Sequence, residues 1–176
     1  MRKSKIVKLS HEILSSLLRK KDIIIDATLG NGYDSLFISP LVSQIYAFDI
    51  QEQALKTSKE TLKNISNVKC ILDSHLNYKN HLNYYDGVIF NLGYLPTGNK
   101  SVTTTAKTTI ETLDNMLNDN LARFILVVVY PKHPEGQIES KALLNYIANT
   151  SNYDVKLLNY NQEIIQDYII LFEKRA

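Results

Sequence analysis

The sequence is poor in cysteine and in long apolar runs, and each shortage excludes a class of protein. Cys70 is the single cysteine among 176 residues, so no internal disulfide can form. The longest apolar runs are about as long as strands, whereas a membrane-spanning helix needs ~20 consecutive apolar residues. The N-terminal residues MRKSKIVKLSHE contain no apolar stretch of the kind found in signal peptides. We therefore expect a cytoplasmic protein without a membrane partner.

The net charge is also small, but the charges are unevenly distributed. The formal net charge is +2, whereas residues 1–21 contain seven basic side chains and one acidic side chain. Apolar residues recur in this segment at helical spacing, which predicts a basic amphipathic helix over residues 1–21. The basic ends suit either a solvated helix face or a phosphate-contacting patch for a nucleic acid. The length and the absence of a linker or repeat predict a single domain over residues 1–176.

Several well-known catalytic and nucleotide-binding motifs are missing. The chain has no GxxxxGK[ST] phosphate loop, no GxSxG nucleophile elbow and no HExxH metal motif, and we expect no metal. Gly30 and Gly32 form a short glycine loop, but Ser35 stands where the dinucleotide fingerprint has its third glycine. The loop therefore departs from a dinucleotide-binding site.

Acidic residues surround this loop at the ends of predicted strands. Asp26 closes the first strand, and Asp49 closes the second about 20 residues after the loop, where nucleotide folds place a ribose-binding carboxylate. An acid before the loop suits the cationic amino group of S-adenosylmethionine (SAM) and would repel a pyrophosphate. Asp73 closes the predicted third strand and could accept from the adenine. The pattern favours a SAM site over a plain glycine turn.

Strand and helix patterns alternate along the rest of the chain. Apolar strands are predicted at VKCILD, DGVIFNL, ARFILVVVY, VKLLNY and DYIILFEK. The segment YPKHPEGQ is predicted as a loop and ESKALLNYIANT as the helix that follows it. This order predicts an α/β protein with a doubly wound sheet and helices on both faces. Ligands bind such sheets outside the carboxyl ends of the strands, where the three acids lie.

Two loops at the same edge contain candidate catalytic residues. The fourth strand ends at Asn91, and Gly93, Tyr94 and Pro96 follow, which resembles the (Asn/Asp)-Pro-Pro-(Tyr/Phe) loop of amino methyltransferases. A side-chain carbonyl can accept the N–H bonds of an amine and direct its lone pair toward a methyl donor. Tyr94 offers a ring on which an extruded base can pack. The structural alternative is a simple turn between a strand and a helix.

The second loop follows the fifth strand. Tyr130, Lys132 and His133 could contact the substrate or its phosphates, and His133 could also take a proton. The structural alternative for His133 is a polar turn residue.

Longer segments resemble one known family along nearly the whole chain. They are DATLGNGYDSLF, YAFDIQEQAL, DSHLN, FNLGYLPTGNK, TTAKTTIETL and VVVYPKHPEG. They resemble the small class I SAM-dependent methyltransferases labelled rRNA methylases. Bacterial members of that family methylate 5-aminomethyl-2-thiouridine at the wobble position of tRNA. The resemblance implies a Rossmann-like, mostly parallel seven-stranded sheet with an antiparallel final strand, and SAM as the methyl donor.

The motif matches, together with the loop chemistry, define the candidate site. The candidate cofactor-binding residues are Asp26, Gly30, Asn31, Gly32, Asp34, Asp49, Ile50, Gln51, Asp73, Ser74, His75 and Asn91. The candidate catalytic residues are Asn91, Tyr94 and His133. The candidate substrate-binding residues are Tyr94, Pro96, Lys100, Thr103, Tyr130, Lys132 and His133. The chain departs from the family pattern in two segments. It has LPTGNK at residues 95–100 where the family has LPGGDK, and YPKH at residues 130–133 where the family has Tyr-x-Gly-His.

One hypothesis and three alternatives follow. We expect an N-methyltransferase that converts 5-aminomethyl-2-thiouridine at the tRNA wobble position to 5-methylaminomethyl-2-thiouridine, with the anticodon stem-loop of tRNA as its partner. The alternative substrates are an rRNA base and a small-molecule amine, and the alternative function is a non-catalytic SAM-binding module. The sequence leaves the oligomeric state open, a homodimer included.

Overall fold

The computed structural model describes residues 4–93, 105–147, 150 and 152–176. Its strands are β1 Ile23–Asp26, β2 Gln44–Asp49, β3 Val68–Leu72, β4 Gly87–Asn91, β5 Phe124–Val129, β6 Tyr153–Leu158 and β7 Tyr168–Lys174. Its α-helices are α1 Lys5–Leu17, α2 Tyr33–Ile38, α3 Glu52–Thr61, α4 Ala106–Asp119 and α5 Pro134–Ile147. Short 3-10 helices span Ser39–Leu41 and His75–Asn80.

All of these strands belong to one sheet, in the order β3-β2-β1-β4-β5-β7-β6. The first five strands pair in parallel, and β7 runs antiparallel to both β5 and β6. The fold expected from the resemblance, a mostly parallel seven-stranded sheet whose final strand is antiparallel, is therefore confirmed.

Two apolar layers cover the sheet, one on each face. Every residue of β5 is buried, as expected for an interior strand with helices on both sides. On one face the sheet packs against apolar side chains of α1, α2 and α3, which include Leu14, Ile38 and Leu55. On the other face it packs against α4 and α5, through side chains such as Leu113 and Leu143. The prediction of helices on both faces is confirmed.

The strand order reverses between β1 and β4, and this is where the candidate site lies. β1 leads through α2 to β2 on one side, whereas its other neighbour is β4. The helices that follow the two central strands therefore pack on opposite faces and leave a crevice at the carboxyl edge. Asp26 is the last residue of β1, and Asn91 is the last residue of β4. The topology thus brings residues 65 positions apart to one crevice.

Side chains cap the starts of α1 and α4, whereas α2 and α3 begin without a side-chain cap. The bounds of α1 and α5 differ from the prediction. α1 ends at Leu17, although the sequence predicted a helix as far as residue 21. Thr105 caps α4, since its side chain accepts from the backbone N–H of Thr108 at 3.2 Å. α5 begins at Pro134, so the prediction that YPKHPEGQ is entirely a loop was wrong. Proline is favoured in the first turn of a helix, where its missing N–H would have no helical partner. No helix in the described part of the chain is long and apolar enough to cross a membrane.

Candidate active site

The turn after β1 requires its two glycines. Gly30 has φ +50° and Gly32 has φ +83°, in the left-handed region that residues with a Cβ rarely adopt. A Cβ on Gly32 would also lie 3.2 Å from side-chain atoms of Ser58 and Leu62. Asn31 lies between the two glycines and is partly exposed. The turn therefore keeps its backbone close to α3 and leaves Asn31 accessible at the crevice.

Asp49 joins this turn to the end of β2. Its Oδ2 accepts from the backbone N–H of Gly30 at 3.0 Å, and its Oδ1 accepts from the N–H of Gln51 at 2.9 Å. Burial raises the pKa of the Asp49 carboxyl, and these backbone donors oppose the rise. Ile50 and Gln51 follow at the same edge and are half-buried. The carboxylate predicted to bind ribose thus also holds the glycine turn in place.

Asp26 lies deeper than the sequence suggested. It is 1% exposed, with Oδ2 accepting from the Ser35 hydroxyl at 2.6 Å and Oδ1 accepting from the Thr28 N–H at 3.1 Å. Burial, with the nearby charge of Asp34 next in importance, raises the pKa of Asp26 to about 7. The carboxyl therefore organises the glycine turn from beneath, and its predicted contact with the SAM amino group stays a prediction.

The raised pKa of Asp26 predicts a pH-dependent effect of the substitution Asp26→Asn on stability. The pKa of Asp26 is higher in the folded state, so its protonated carboxyl contributes to the free energy of unfolding. This contribution is complete below about pH 4 and is lost as the pH rises through about 7. The shift from 3.8 to about 7, at about 1.4 kcal/mol per pH unit, sets an upper limit of roughly 4 kcal/mol. An amide at this position does not ionise. The variant should therefore gain stability relative to the wild type across this range and reach a plateau above it.

Urea unfolding at pH 4, 5, 6, 7 and 8 measures this difference directly. Burial also raises the pKa of Glu139 to about 7. Subtracting the wild-type curve removes the contribution of Glu139, because both proteins contain it. Asp154→Asn, at an exposed position on β6, is the matched control for the loss of one carboxylate. A stability difference that does not change with pH for Asp26→Asn would contradict the prediction.

Asp73 follows β3 and stabilises the next turn. Its Oδ1 accepts from the Ser74 N–H and from Asn77 Nδ2, both at 2.8 Å, and its Oδ2 lies 2.8 Å from His81 Nε2. The hydrogen bond to His81 is the main cause that holds the pKa of Asp73 below its usual value. Ser74 in turn accepts from the Leu76 N–H at 3.2 Å. Asp73 and Ser74 therefore shape this turn, and their predicted adenine contacts stay predictions.

His75 is buried and neutral at physiological pH. Burial lowers its pKa to about 4. Its Nδ1 lies 2.8 Å from the Thr112 hydroxyl, and that hydroxyl donates to the carbonyl of Thr108 at 2.8 Å. The Thr112 oxygen can therefore only accept from the imidazole, so Nδ1 carries the proton and Nε2 is an acceptor. This buried Nε2 has no hydrogen-bond partner among the described residues.

Asn91 is the centre of a polar cluster at the end of β4. Its backbone N–H donates to the Thr28 hydroxyl at 2.7 Å, and its side-chain Nδ2 donates to Asp34 Oδ2 at 2.7 Å. The other oxygen of Asp34 lies 2.7 Å from Nε2 of His11. Burial raises the pKa of Tyr130, and the neighbouring Asn91 side chain opposes this rise. Tyr130 therefore stays protonated beside Asn91.

His11 is a residue that the sequence reasoning missed. It comes from α1, is buried, and stacks on Phe37 with ring centroids 3.8 Å apart and planes 7° apart. A signal was present, because His11 falls within the apolar stripe formed by Val7, Leu14 and Leu18 at helical spacing. A polar residue in an apolar stripe calls for a partner in the fold. Here the partner is Asp34 of α2.

His133 and Lys132 have structural roles in the second loop. Gly136 N–H donates to Nδ1 of His133 at 3.1 Å, and Gln137 N–H donates to its carbonyl at 2.9 Å. His133 thus caps the N-terminus of α5, and the lone pair that could take a proton at Nδ1 is engaged by the backbone. Lys132 Nζ lies 3.5 Å from Asp167 Oδ2 and is largely exposed. Their predicted substrate contacts stay predictions.

The remaining predicted site residues lie outside the described residues. They are Tyr94, Pro96, Lys100 and Thr103. In the part of the chain that the structure describes, no three His, Cys, Asp or Glu side chains are grouped to hold a metal ion.

The residues at the crevice fit an adenosine-containing cofactor. Each Asp49 oxygen accepts one backbone N–H and has a second lone pair for a ribose hydroxyl. The buried Oε1 of Gln51 has no hydrogen-bond partner among the described residues, and it can accept from an exocyclic amino group. With the glycine turn and the strand order, these features define a class I methyltransferase, an enzyme class that uses SAM as methyl donor.

Comparison with known proteins then identifies the family. Residues 45–172 match the protein family described as "Putative rRNA methylase", and the chain belongs to this family. The chain is similar to the chloroplastic tRNA (mnm(5)s(2)U34)-methyltransferase of Arabidopsis thaliana, with 31% identity over 157 residues. That match covers 78% of this chain but 57% of the relative, so the chain spans somewhat more than half of that protein's length.

Two solved structures support the same assignment. A protein from Clostridium thermocellum, described as a "putative rRNA-methylase", is 28% identical, with a TM-score of 0.88 over 99% of this chain and 100% of the other. A protein from Streptococcus mutans, described as a "putative methyltransferase" and solved in complex with SAH, is 36% identical, with a TM-score of 0.85 over 99% of this chain and 100% of the other. A relative of this identity that binds the demethylated cofactor supports SAM as the cofactor of this chain. The cofactor predicted from the sequence is thus confirmed.

Proposed function

We propose that this protein transfers a methyl group from SAM to the aliphatic amine of 5-aminomethyl-2-thiouridine at the tRNA wobble position. The product is 5-methylaminomethyl-2-thiouridine. The observation that carries the proposal is the placement of Asn91, an amide at the carboxyl end of β4, in the crevice at the topological switch. The Arabidopsis relative, whose name states activity at this tRNA position, supports the choice of substrate.

The reaction requires a neutral amine whose lone pair faces the methyl donor. When bound, SAM supplies an electrophilic methyl group. The Asn91 side-chain carbonyl can accept an N–H of the acceptor amine and so direct its lone pair. Partial burial of Asn91 and Tyr130 lowers the local polarity, which favours the neutral amine over the ammonium ion. Since Nδ1 of His133 accepts from Gly136, we infer that the proton leaves to water.

The anticodon stem-loop is the proposed partner. The basic residues of α1 and of the segment after it, which include Lys5, Lys8 and Lys20, are exposed and could contact its phosphates. Tyr94, Pro96, Lys100 and Thr103 stay as proposed substrate contacts, and Tyr94 remains the proposed stacking partner of the base. A homodimer is compatible with this proposal but is not required by it.

The deciding experiment uses tRNA from a strain that lacks this gene. The purified protein is incubated with that tRNA and SAM, and the wobble nucleosides are measured by mass spectrometry. We expect 5-aminomethyl-2-thiouridine to be converted to a nucleoside heavier by one methyl group. The control is the same tRNA with the protein omitted.

If calorimetry shows that SAM binds but no conversion occurs, the proposed substrate is wrong and the cofactor assignment stands. Ribosomal RNA and small amines are then the next substrates to try. An RNA substrate should show an affinity that falls steeply with salt, whereas a small amine should show little salt dependence.

A further inference from the structure

The side-chain amide of Asn91 can accept a hydrogen bond from the acceptor amine in only one of its two orientations. An amide has a carbonyl oxygen that accepts hydrogen bonds and an amino group that donates them. Only the oxygen can hold an N–H of the acceptor amine. If the amide were turned over, its own N–H groups would face the N–H groups of the substrate. Something in the protein must therefore select the orientation, because the two ends have nearly the same shape.

Among the described residues, Asp34 is placed to select this orientation. Asp34 Oδ2 lies 2.7 Å from the Asn91 side-chain nitrogen, and an ionised carboxylate can only accept. The amide must therefore present its amino group to Asp34, which leaves its oxygen on the other side. The Asp34 side chain is 15% exposed, so water competes little with this bond.

Asp34 is itself held from the opposite direction. Its Oδ1 lies 2.7 Å from Nε2 of His11, whose side chain is 6% exposed. The His11 ring is stacked on Phe37 and so has little freedom to rotate. α1 therefore positions Asp34, and Asp34 positions Asn91.

We propose that Asp34 and His11 are positioning residues that keep the carbonyl oxygen of Asn91 turned toward the acceptor amine. The motif match placed Asp34 among the cofactor-binding residues, but both of its oxygens face protein groups, namely His11 and Asn91. The proposal gives α1 a part in the active site in addition to its basic charge. It rests on the proposed function, since it assumes that Asn91 receives an amine.

Three substitutions separate positioning from cofactor binding. Asp34→Asn puts an amide opposite Asn91 that can pair with it in either orientation, so kcat should fall about 10-fold or more. The dissociation constant for SAM and the KM for tRNA should stay within about threefold of the wild type, because neither ligand contact is removed. His11→Leu should act in the same direction but more weakly, and His11→Gln, which keeps an N–H donor, should recover most of the activity. Glu12→Gln, on the exposed face of α1, is the matched control.

A second readout needs no substrate. In ¹⁵N-labelled protein, the side-chain amide signals of Asn91 are assigned by their absence from Asn91→Ala. A proton donated to a carboxylate should resonate downfield and move upfield in Asp34→Asn, but not in Glu12→Gln.

Two outcomes would overturn the inference. One is an Asn91 amide signal that does not move in Asp34→Asn. The other is an Asp34→Asn variant that binds SAM more weakly but has an unchanged kcat at saturating SAM. Wild-type protein that binds SAM but does not methylate this tRNA would instead refute the proposed function. In that case the Asn91 signal still decides whether Asp34 orients the amide.

Discussion

Asn91→Ala should reduce methyl transfer to tRNA about 100-fold or more, with SAM affinity changed by less than about threefold. The substitution removes the carbonyl that holds the acceptor amine, and loss of one preorganised hydrogen-bonding group in an active site commonly costs 10²–10³ in kcat. The backbone N–H of Asn91, which donates to Thr28, is retained, so the end of β4 should keep its place. Single-turnover kinetics and calorimetry with SAM measure the two quantities separately.

The matched control for this prediction is Asn118→Ala. Asn118 is an exposed asparagine on α4 whose side chain donates to Asp114 at 3.1 Å, away from the crevice. It should leave both turnover and SAM affinity unchanged. If Asn91→Ala kept full turnover, Asn91 would not be the residue that orients the amine. If it weakened SAM binding and spared the rate at saturating SAM, Asn91 would be a cofactor contact only.

Asp49→Ala should weaken SAM binding about 30-fold or more. Asp49 accepts from Gly30 and Gln51, and the predicted ribose contact would use its remaining lone pairs. Hydrogen bonds to a charged group contribute about 1.5–3 kcal/mol each, and every 1.4 kcal/mol is a factor of ten in affinity. The loss combines a missing ribose acceptor with a loosened glycine turn. Calorimetry with SAM, and with SAH, measures it.

A control distinguishes this effect from a general loss of structure. Asp154→Ala removes an exposed carboxylate on β6 that pairs with Arg175 at 2.7 Å, and it should not alter SAM binding. Circular dichroism should give the same helix and strand content for Asp49→Ala as for the wild type. Unchanged SAM affinity in a folded Asp49→Ala protein would place the cofactor away from the end of β2.

Much of the fold could be predicted from the sequence because local patterns determine it. A β-branched run such as Ile23–Ile25 is too short for a helix and is stable only when buried in a sheet. The threonines near the start of α4 predicted a capped helix from Thr108, and the structure shows that Thr105 is the cap and that the helix begins at Ala106. The start of α5 was not predictable, because Pro134 is common in turns as well as in the first turn of a helix, and Gly136 favours a turn. The cap from His133 decides for the helix.

The sequence by itself determined the α/β class, the glycine turn, the acids at the ends of β1 and β2, and Asn91 at the end of β4. These features depend on the order of residues within a strand and its loop, which is local information. Only the tertiary structure decided that Asp26 is buried beneath the turn and that His11, Asp34 and Asn91 form one hydrogen-bonded series. Those three residues come from α1, α2 and β4. The reversal of strand order between β1 and β4 creates the crevice where they meet, and no spacing along the chain encodes that contact.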